Sequence, residues 1–561
     1  MTNLATLDPY DWQTIAPHFM ALLSEPLTPD QVPGWLARWS QLETALREAE
    51  NLATRAKNAD TNNLAAAQCY QHFVTVIAPQ REQAAQALKS KLLAIEGFEP
   101  EDEHRMLLRR WRSEAALYCA DNVPLRAAVL ARASDYFTLT GTMTVRLGGT
   151  EQTMAEAAQR LLDPDRRKRE LVWRTLMTRR LQDRDTLHAL FLDLLPQRQQ
   201  IAHNAGFPEY RAYKWQELQR FDYGPADNLA LHTAIEAEIV PLALRLAEQR
   251  RARLGVETVR PWDTTVDPSG QPPLCPFTSA TELEAGVGSM LTRVDPVLGA
   301  FFQRLRGGFL DLQPRPGKAQ LAYAAFLPQT GMPYIFMNAV GAHYDVQTLL
   351  HEAGHALHWL EMDSVRALVW NTDTPEEFGE VAAQALELLA LPYLAAGDGG
   401  FYTPEDARRA RHQQLEAIIW LLRDTALGDA FQHWVYTEAP VDVTPTDLEA
   451  QWVALSQRFF PEIDWSELEP EQGIGWHTIP HFFVWPFYVI EYTLAWLGAL
   501  QIWQNALQDQ ALAVRQYRAA LALGGTRSLP LLYAAAGARL AFDHGTVGTL
   551  ASFLATQLGL L

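Results

Sequence analysis

The stretch YIFMNAVGAHYDVQTLLHEAGHALHWLE, Tyr334 to Glu361, decides the fold. Tyr334 to Met337 is a short apolar run that reads as a strand, and Asn338 to Tyr344 read as a glycine-containing turn. Asp345 is an N-cap for a helix over about Val346 to Glu361. Leu349, Leu350, Ala353, Ala356, Leu357 and Leu360 supply most of that helix's apolar surface. Residues four apart share a helix face, so His351 and His355 can aim two imidazoles at one zinc ion. Glu352 then lies within reach of a water on that ion. Zinc brings such a water's pKa towards neutrality, and the glutamate can take the proton and hand it to a leaving amine. The pattern reads as metal-assisted hydrolysis, most often of a peptide bond.

With 15 histidines and 66 acidic residues in 561 positions, a chance His-acid-x-x-His is expected at most about one time in twenty. Two surface histidines around a solvated glutamate are the bland account. A helix this apolar is expected to be buried, and buried imidazoles need partners, which a metal supplies.

The third ligand must come from elsewhere. The metzincin pattern wants Gly and His where this chain has His358 and Glu361, so it fails. His358 reads as a packing or surface histidine. Of the four glutamates that follow, Glu376 and Glu377 come after Pro375 at a helix start, where acids serve the macrodipole. Glu380 and Glu387 share one face beside the small residues Val381, Ala382, Ala383 and Ala385, which permit close helix packing. Glu380 is the choice for the third ligand. Glu387 is either an acceptor for a ligand histidine N–H or a plain solvated glutamate.

A length of 561 residues implies several subdomains. A hydrophobic content of 48%, with 20% charged residues, fits a soluble globular chain, and a net charge of −19 argues against nucleic acid or an anionic membrane as partner. Cys69, Cys119 and Cys275 are too few and too scattered for a disulfide framework or a thiolate metal site. Met1 to Asp8 lack the basic and apolar regions of a secretory leader, so a cytoplasmic location is expected. Phe482 to Trp503 is apolar enough to suggest a membrane span, but Pro486 and Glu491 favour a buried helix lining a site.

Helical periodicity runs through Leu36–Lys57, Asn63–Ile95, Glu101–Cys119, Ala155–Arg180, Thr186–Ala205 and Pro225–Leu254. Strand signals are brief: Thr142–Leu147, Ala322–Leu327 and Tyr334–Met337. The expectation is a mainly α protein with a small β-sheet next to the motif helix. An N-terminal helical region over 1–160 would precede a catalytic region over 161–561. A second constellation lies at His481, Tyr488 and Tyr492, ahead of a long apolar helix. Spaced four apart, the two tyrosines should share a face, offering donors for an oxyanion; the alternative is an aromatic core helix.

Gly317-Lys318-Ala319 with Tyr323, the HEAGHALH motif and Glu380-Val381-Ala382-Ala383-Gln384 resemble the thimet oligopeptidase and oligoendopeptidase F family. The segment HFFVWPFYVIEYTLAWLGALQIW resembles its Pz-peptidase branch. Arg220–Tyr223, Arg260–Asp263 and Leu523–Pro530 agree, and the likeness runs from about residue 110 to the C-terminus. The resemblance implies a two-lobed helical ellipsoid enclosing a deep substrate channel, with one zinc ion on His351, His355 and Glu380. It gives Glu352 the acid/base role and places His481, Tyr488 and Tyr492 at the transition state. It implies peptide contacts at Tyr323 and at Gly341, Ala342 and His343, with the strand before that turn able to pair with substrate. Gln320-Leu321-Ala322 replace the glycines the family usually has there. Short unstructured peptides are the implied substrates. An exopeptidase of carboxypeptidase or dipeptidase type, or a non-catalytic peptide binder, are the rival functions, and no oligomeric state is implied.

Overall fold

The computed structural model describes residues 7–96, 98 and 100–560. Met1 to Thr6, on which most of the leader reading rests, lie outside them. The chain is mainly α, with one two-stranded and one three-stranded sheet among the described residues.

Helices depart from the expected spans where the backbone cannot continue them. Proline cannot donate to the preceding turn. Thus Pro225–Leu254 is two helices, Pro225–Glu238 and Val240–Leu254, with Pro241 at the second start. Ala155–Arg180 breaks into Met154–Ala158, a 3-10 turn and Arg166–Gln182, with Pro164 in the break. Asn63–Ile95 becomes Leu64–His72 and Ala78–Leu93, joined by a π-turn at Phe73–Ile77. Phe482–Trp503 is likewise not one helix. Pro480–Val484 ends before Pro486, Phe487 takes a left-handed φ of 65°, and the next helix is Ile490–Ala506. No helix among the described residues is long and apolar enough to cross a membrane.

Two compact units are each built from separated stretches. The first holds Met1–Ala116, Cys275–Ala410 and Gly498–Leu540; the second holds Leu117–Leu274, Arg411–Leu497 and Ala541–Leu561.

In the first unit, β3 (Leu310–Asp311), β5 (Met332–Phe336) and β4 (Tyr323–Leu327) form a sheet in that order. β5 runs parallel to β3 and antiparallel to β4. The motif helix, His343–Glu361, packs on β4, β5 and the acidic helix Glu376–Ala390. A tryptophan cluster fastens the loop between those helices to the N-terminal ones. Trp39 lies 4.6 Å from Trp370 and 5.0 Å from Trp111 between ring centroids. Arg47 grips Asp373 at 2.6 and 2.9 Å, and Ser40 Oγ accepts the Val369 N–H at 2.8 Å. Gly524 and Gly525, from the 523–530 motif, sit so close that an added Cβ would lie 2.4 Å from the Asn371 carbonyl and 2.1 Å from that of Asp373.

In the second unit, β1 (Thr144–Leu147) and β2 (Thr150–Thr153) form a hairpin over Ala157, Val172 and Leu176. Asp263, from the Arg260–Asp263 motif, is fully buried and accepts from Arg166 at 2.8 Å and Arg169 at 2.8 Å. That motif is a structural charge cluster.

Candidate active site

Asp345 is not the N-cap. It sits in the helix's first turn, and its Oδ2 gathers the N–H groups of Val340, Gly341 and Ala342 at 2.8, 2.9 and 2.9 Å. One carboxylate thus shapes the turn that launches the motif helix. Gly341 has φ of 102°, which strains any residue with a Cβ. Further along, Gly354 lets the acidic helix approach. A Cβ there would lie 2.4 Å from Ala383 Cα and 2.8 Å from the Ala382 carbonyl. Tyr517 donates to that same Ala382 carbonyl at 2.7 Å and steadies the acidic helix.

Close packing brings His351, His355 and Glu380 together, with one possible ligand atom from each lying within 4.8 Å of the others. His351 Nε2 is 3.3 Å from His355 Nε2 and 3.6 Å from Glu380 Oε2. Two nitrogens each about 2.05 Å from a tetrahedral zinc lie about 3.3 Å apart. Glu380 Oε2 is buried with no hydrogen-bond partner, an expensive state that a cation would relieve. The donor set therefore fits zinc. Glu376 and Glu377 begin the acidic helix and stand outside the group.

Glu387 is buried rather than a solvated glutamate: its Oε1 accepts from His351 Nδ1 at 2.9 Å, which leaves the Nε2 lone pair for a ligand. Burial pushes the His351 pKa down, but the Glu387 hydrogen bond and the charge of Glu380 outweigh it and carry it to about 9. Burial raises Glu380 to about 7 against the pull of His351. His355 is driven well below its ordinary range by burial and by the His351 charge. His358 is a buried packing histidine edge-on to Phe378, lowered by burial to about 3.

Glu352 is buried, and desolvation raises its pKa, opposed by the His351 charge and by a hydrogen bond from the Ala324 N–H. Ala324 lies on β4, and the sheet order corrects one expectation. β5, the strand before the glycine turn, is central and paired on both sides, so it has no edge for a peptide. β4 is the edge strand. Its outward positions alternate: Phe326 O is taken by Asn51 Nδ2 at 2.7 Å, while Ala324 faces Glu352.

Tyr323 stacks on Phe336 at 5.2 Å and its hydroxyl accepts from Asn58 at 3.1 Å. His343 Nδ1 lies 2.7 Å from the Tyr402 hydroxyl, and burial lowers its pKa to about 4. Lys318 is buried in the sheet's flank. Its Nζ donates to Asp311 Oδ1 at 2.9 Å and to the carbonyls of Asp311 at 2.9 Å, Gln313 at 3.0 Å and Met337 at 2.5 Å.

In the second unit His481, Tyr488 and Tyr492 do meet, though not by the expected geometry. Tyr488 precedes the helix Ile490–Ala506, so the tyrosines are not two residues of one helical face. The left-handed Phe487 turns Tyr488 back instead. Ring centroids are 5.8 Å apart for His481–Tyr488, 5.9 Å for His481–Tyr492 and 5.5 Å for Tyr488–Tyr492. Arg220, from the 220–223 motif, holds this turn by donating to Phe487 O and to Glu491 at 2.9 Å, and Gln432 accepts the Phe487 N–H at 2.7 Å. Burial lowers the His481 pKa to about 4, so the ring is neutral at pH 7.

A family model described as peptidase family M3 matches residues 160–551. An oligoendopeptidase F homolog of Borreliella burgdorferi is 28% identical over 247 residues, 41% of this chain and 39% of that one. The oligopeptidase PepF of Bacillus subtilis is 25% identical over 225 residues, 38% of this chain and 31% of that one. The matches thus span about two fifths or less of these curated relatives. A solved structure of Pz peptidase A with an inhibitor superposes over 98% of both chains with a TM-score of 0.88 at 23% identity, a likeness of fold.

Proposed function

The chain belongs to peptidase family M3, and on that premise we propose that it is a zinc-dependent oligoendopeptidase acting on short unstructured peptides. The observation that carries the reading is the 3.3 Å separation of His351 Nε2 and His355 Nε2 beside the orphaned Glu380 Oε2. One zinc ion held by His351, His355 and Glu380 would supply Lewis acidity to a water and to the scissile carbonyl. Glu352 takes a proton from the attacking water and delivers it to the amine nitrogen as the C–N bond breaks. The Ala324 N–H orients its carboxylate for both transfers. Glu387 fixes the His351 tautomer through Nδ1.

The family resemblance nominates His481, Tyr488 and Tyr492 to stabilise the negative charge on the carbonyl oxygen. A neutral His481 would do so as an N–H donor, without a full charge. Peptide contacts are assigned to Tyr323 and the Gly341–His343 turn. Net charge of −19 supports the part of the reading that excludes nucleic acid, and a cytoplasmic site of action belongs to the same proposal.

The test is an internally quenched peptide blocked at both ends, with the products read by mass spectrometry. Internal cleavage that stops on chelation supports the reading. An exopeptidase leaves the blocked peptide intact, and a binding protein leaves every peptide intact.

A further inference from the structure

The second unit holds a cavity of about 700 Å³, within the span of about 300–1,000 Å³ usual for small-molecule sites. Its walls come from the helix Val240–Leu254, residues 257–259, the helix Pro445–Phe459 and residues 461–472. All of these lie in that one unit, and none of the lining residues has a role assigned above. Hydrogen bonds tie the walls together. The Asp464 N–H donates to the Val259 carbonyl at 2.9 Å, and Thr258 Oγ1 donates to Asp464 Oδ2 at 2.8 Å. Arg260 donates to Ser466 Oγ at 2.9 Å and to the Ser466 carbonyl at 2.7 Å.

The lining joins apolar surface to an excess of carboxylates. Leu244, Val259, Val453, Ile463 and Trp465 supply the apolar part. Glu248, Glu257, Glu462, Asp464 and Glu469 are set against one basic lining residue, Arg251. Three of these acids already have arginines: Glu248 has Arg251 at 2.7 Å, Asp464 has Arg260 at 3.2 Å and Glu462 has Arg423 at 2.7 Å. Glu257 and Glu469 are exposed and keep the rim negative.

Acidic surface alone is ordinary solvation, and Glu462 is what sets this cavity apart. Its side chain is only 8% exposed, its Oε1 accepts from Arg423, and its Oε2 is buried with no hydrogen-bond partner. A buried carboxylate oxygen left unpaired is costly and calls for an N–H donor. A bare metal ion is a poor answer. Among the described residues, only the group at His351 brings three such ligand atoms within 4.8 Å of one another. A nitrogen cation on an apolar body answers both halves of the lining, and the Trp465 ring adds a face that attracts cations.

We propose that this cavity binds an organic cation, an ammonium or guanidinium group carried on an apolar body. A free amine and the lysine or arginine side chain of a peptide share that chemistry. The proposal stands independently of the peptidase reading.

The experiment titrates phenethylammonium into the full-length protein by calorimetry, with 2-phenylethanol and 3-phenylpropionate as neutral and anionic probes of similar body. The ammonium should bind at one per chain, and the other two about tenfold more weakly or worse. Glu462→Gln, which retains an oxygen for Arg423, should weaken binding about tenfold. Val453→Trp fills the cavity and should abolish binding, and thermal melts check both folds. The exposed pair Glu257→Gln, Glu469→Gln, which should fold in any case, should weaken binding about threefold. Acetyl-lysine amide tells the sources apart: affinity equal to that of phenethylammonium assigns a peptide side chain, and none assigns a free amine. No binding of the ammonium at millimolar concentration, equal binding of the alcohol, or wild-type affinity in every variant overturns the proposal. Affinity lost in Glu380→Ala but kept in Val453→Trp puts the amine at the metal site and overturns it too.

Discussion

Replacing Gly354 by Ala adds one methyl group at the point where the motif helix meets the acidic helix. Its Cβ would lie 2.4 Å from Ala383 Cα, 2.8 Å from Ala382 O and 3.0 Å from Ala383 N. All three atoms are backbone, so no side chain can swing aside. Ordinary contact begins at 3.4 Å, and the helices must part by about 1 Å. Overpacking of this kind costs about 1–3 kcal/mol. Elsewhere in a helix the same exchange is favourable by about 1 kcal/mol, so the sign is itself a test. Gly34→Ala is the control, because its nearest neighbour, an Arg38 nitrogen, is 4.0 Å away. The shift also moves Glu380, which rides on the acidic helix, whereas a metal site tolerates only about 0.2 Å of misplacement. Gly354→Ala should therefore melt earlier and hold zinc weakly in calorimetric titration, while Gly34→Ala does neither. Wild-type melting and wild-type zinc affinity in Gly354→Ala would refute the reasoning.

Glu352→Gln should bind zinc normally and lose about 10²–10⁴-fold in turnover, the usual worth of a general base; metal content measured alongside kcat checks both halves. Glu380→Ala should lose the metal by elemental analysis, and loss on Glu376→Ala instead would show the wrong ligand was chosen. Zinc uptake at pH 7 should release about one to two protons, because His351, at about 9, is protonated and Glu380, at about 7, half so. Calorimetry in buffers of different ionisation enthalpy reads that number, which should fall towards zero above pH 9. The same groups make the zinc-free fold lose stability as pH rises. Both pKa values lie above their ordinary ones, so their contribution is complete at low pH and disappears through about 7 for Glu380 and about 9 for His351.

The grouping of His351, His355 and Glu380 was legible because its information is local. His351, Glu352 and His355 need only a helix, and the small residues around Glu380 announce a close helix contact. What the sequence hides is set by distant partners or by breaks in regular structure. Tyr488 and Tyr492 are four apart, but Pro486 and the left-handed Phe487, held by Arg220 and Gln432, take Tyr488 off the helix. β4 and β5 look alike as short apolar runs; only the pairing with β3 makes β5 central and leaves β4 as the edge. Glu387 reads equally well as solvated until His351 is found 2.9 Å away. Gly354 looks like an ordinary helix residue until Ala383 is placed against it. The two compact units, each assembled from three separated stretches, leave no linker or shift of composition for a sequence reading to find.

The central claim is most directly tested by titrating zinc into chelator-stripped protein while following cleavage of the end-blocked peptide. Turnover should be absent at the start, rise linearly and break at one zinc per chain, with no rise in Glu380→Ala. Full turnover by the stripped protein, or a break unrelated to one ion per chain, would contradict the account.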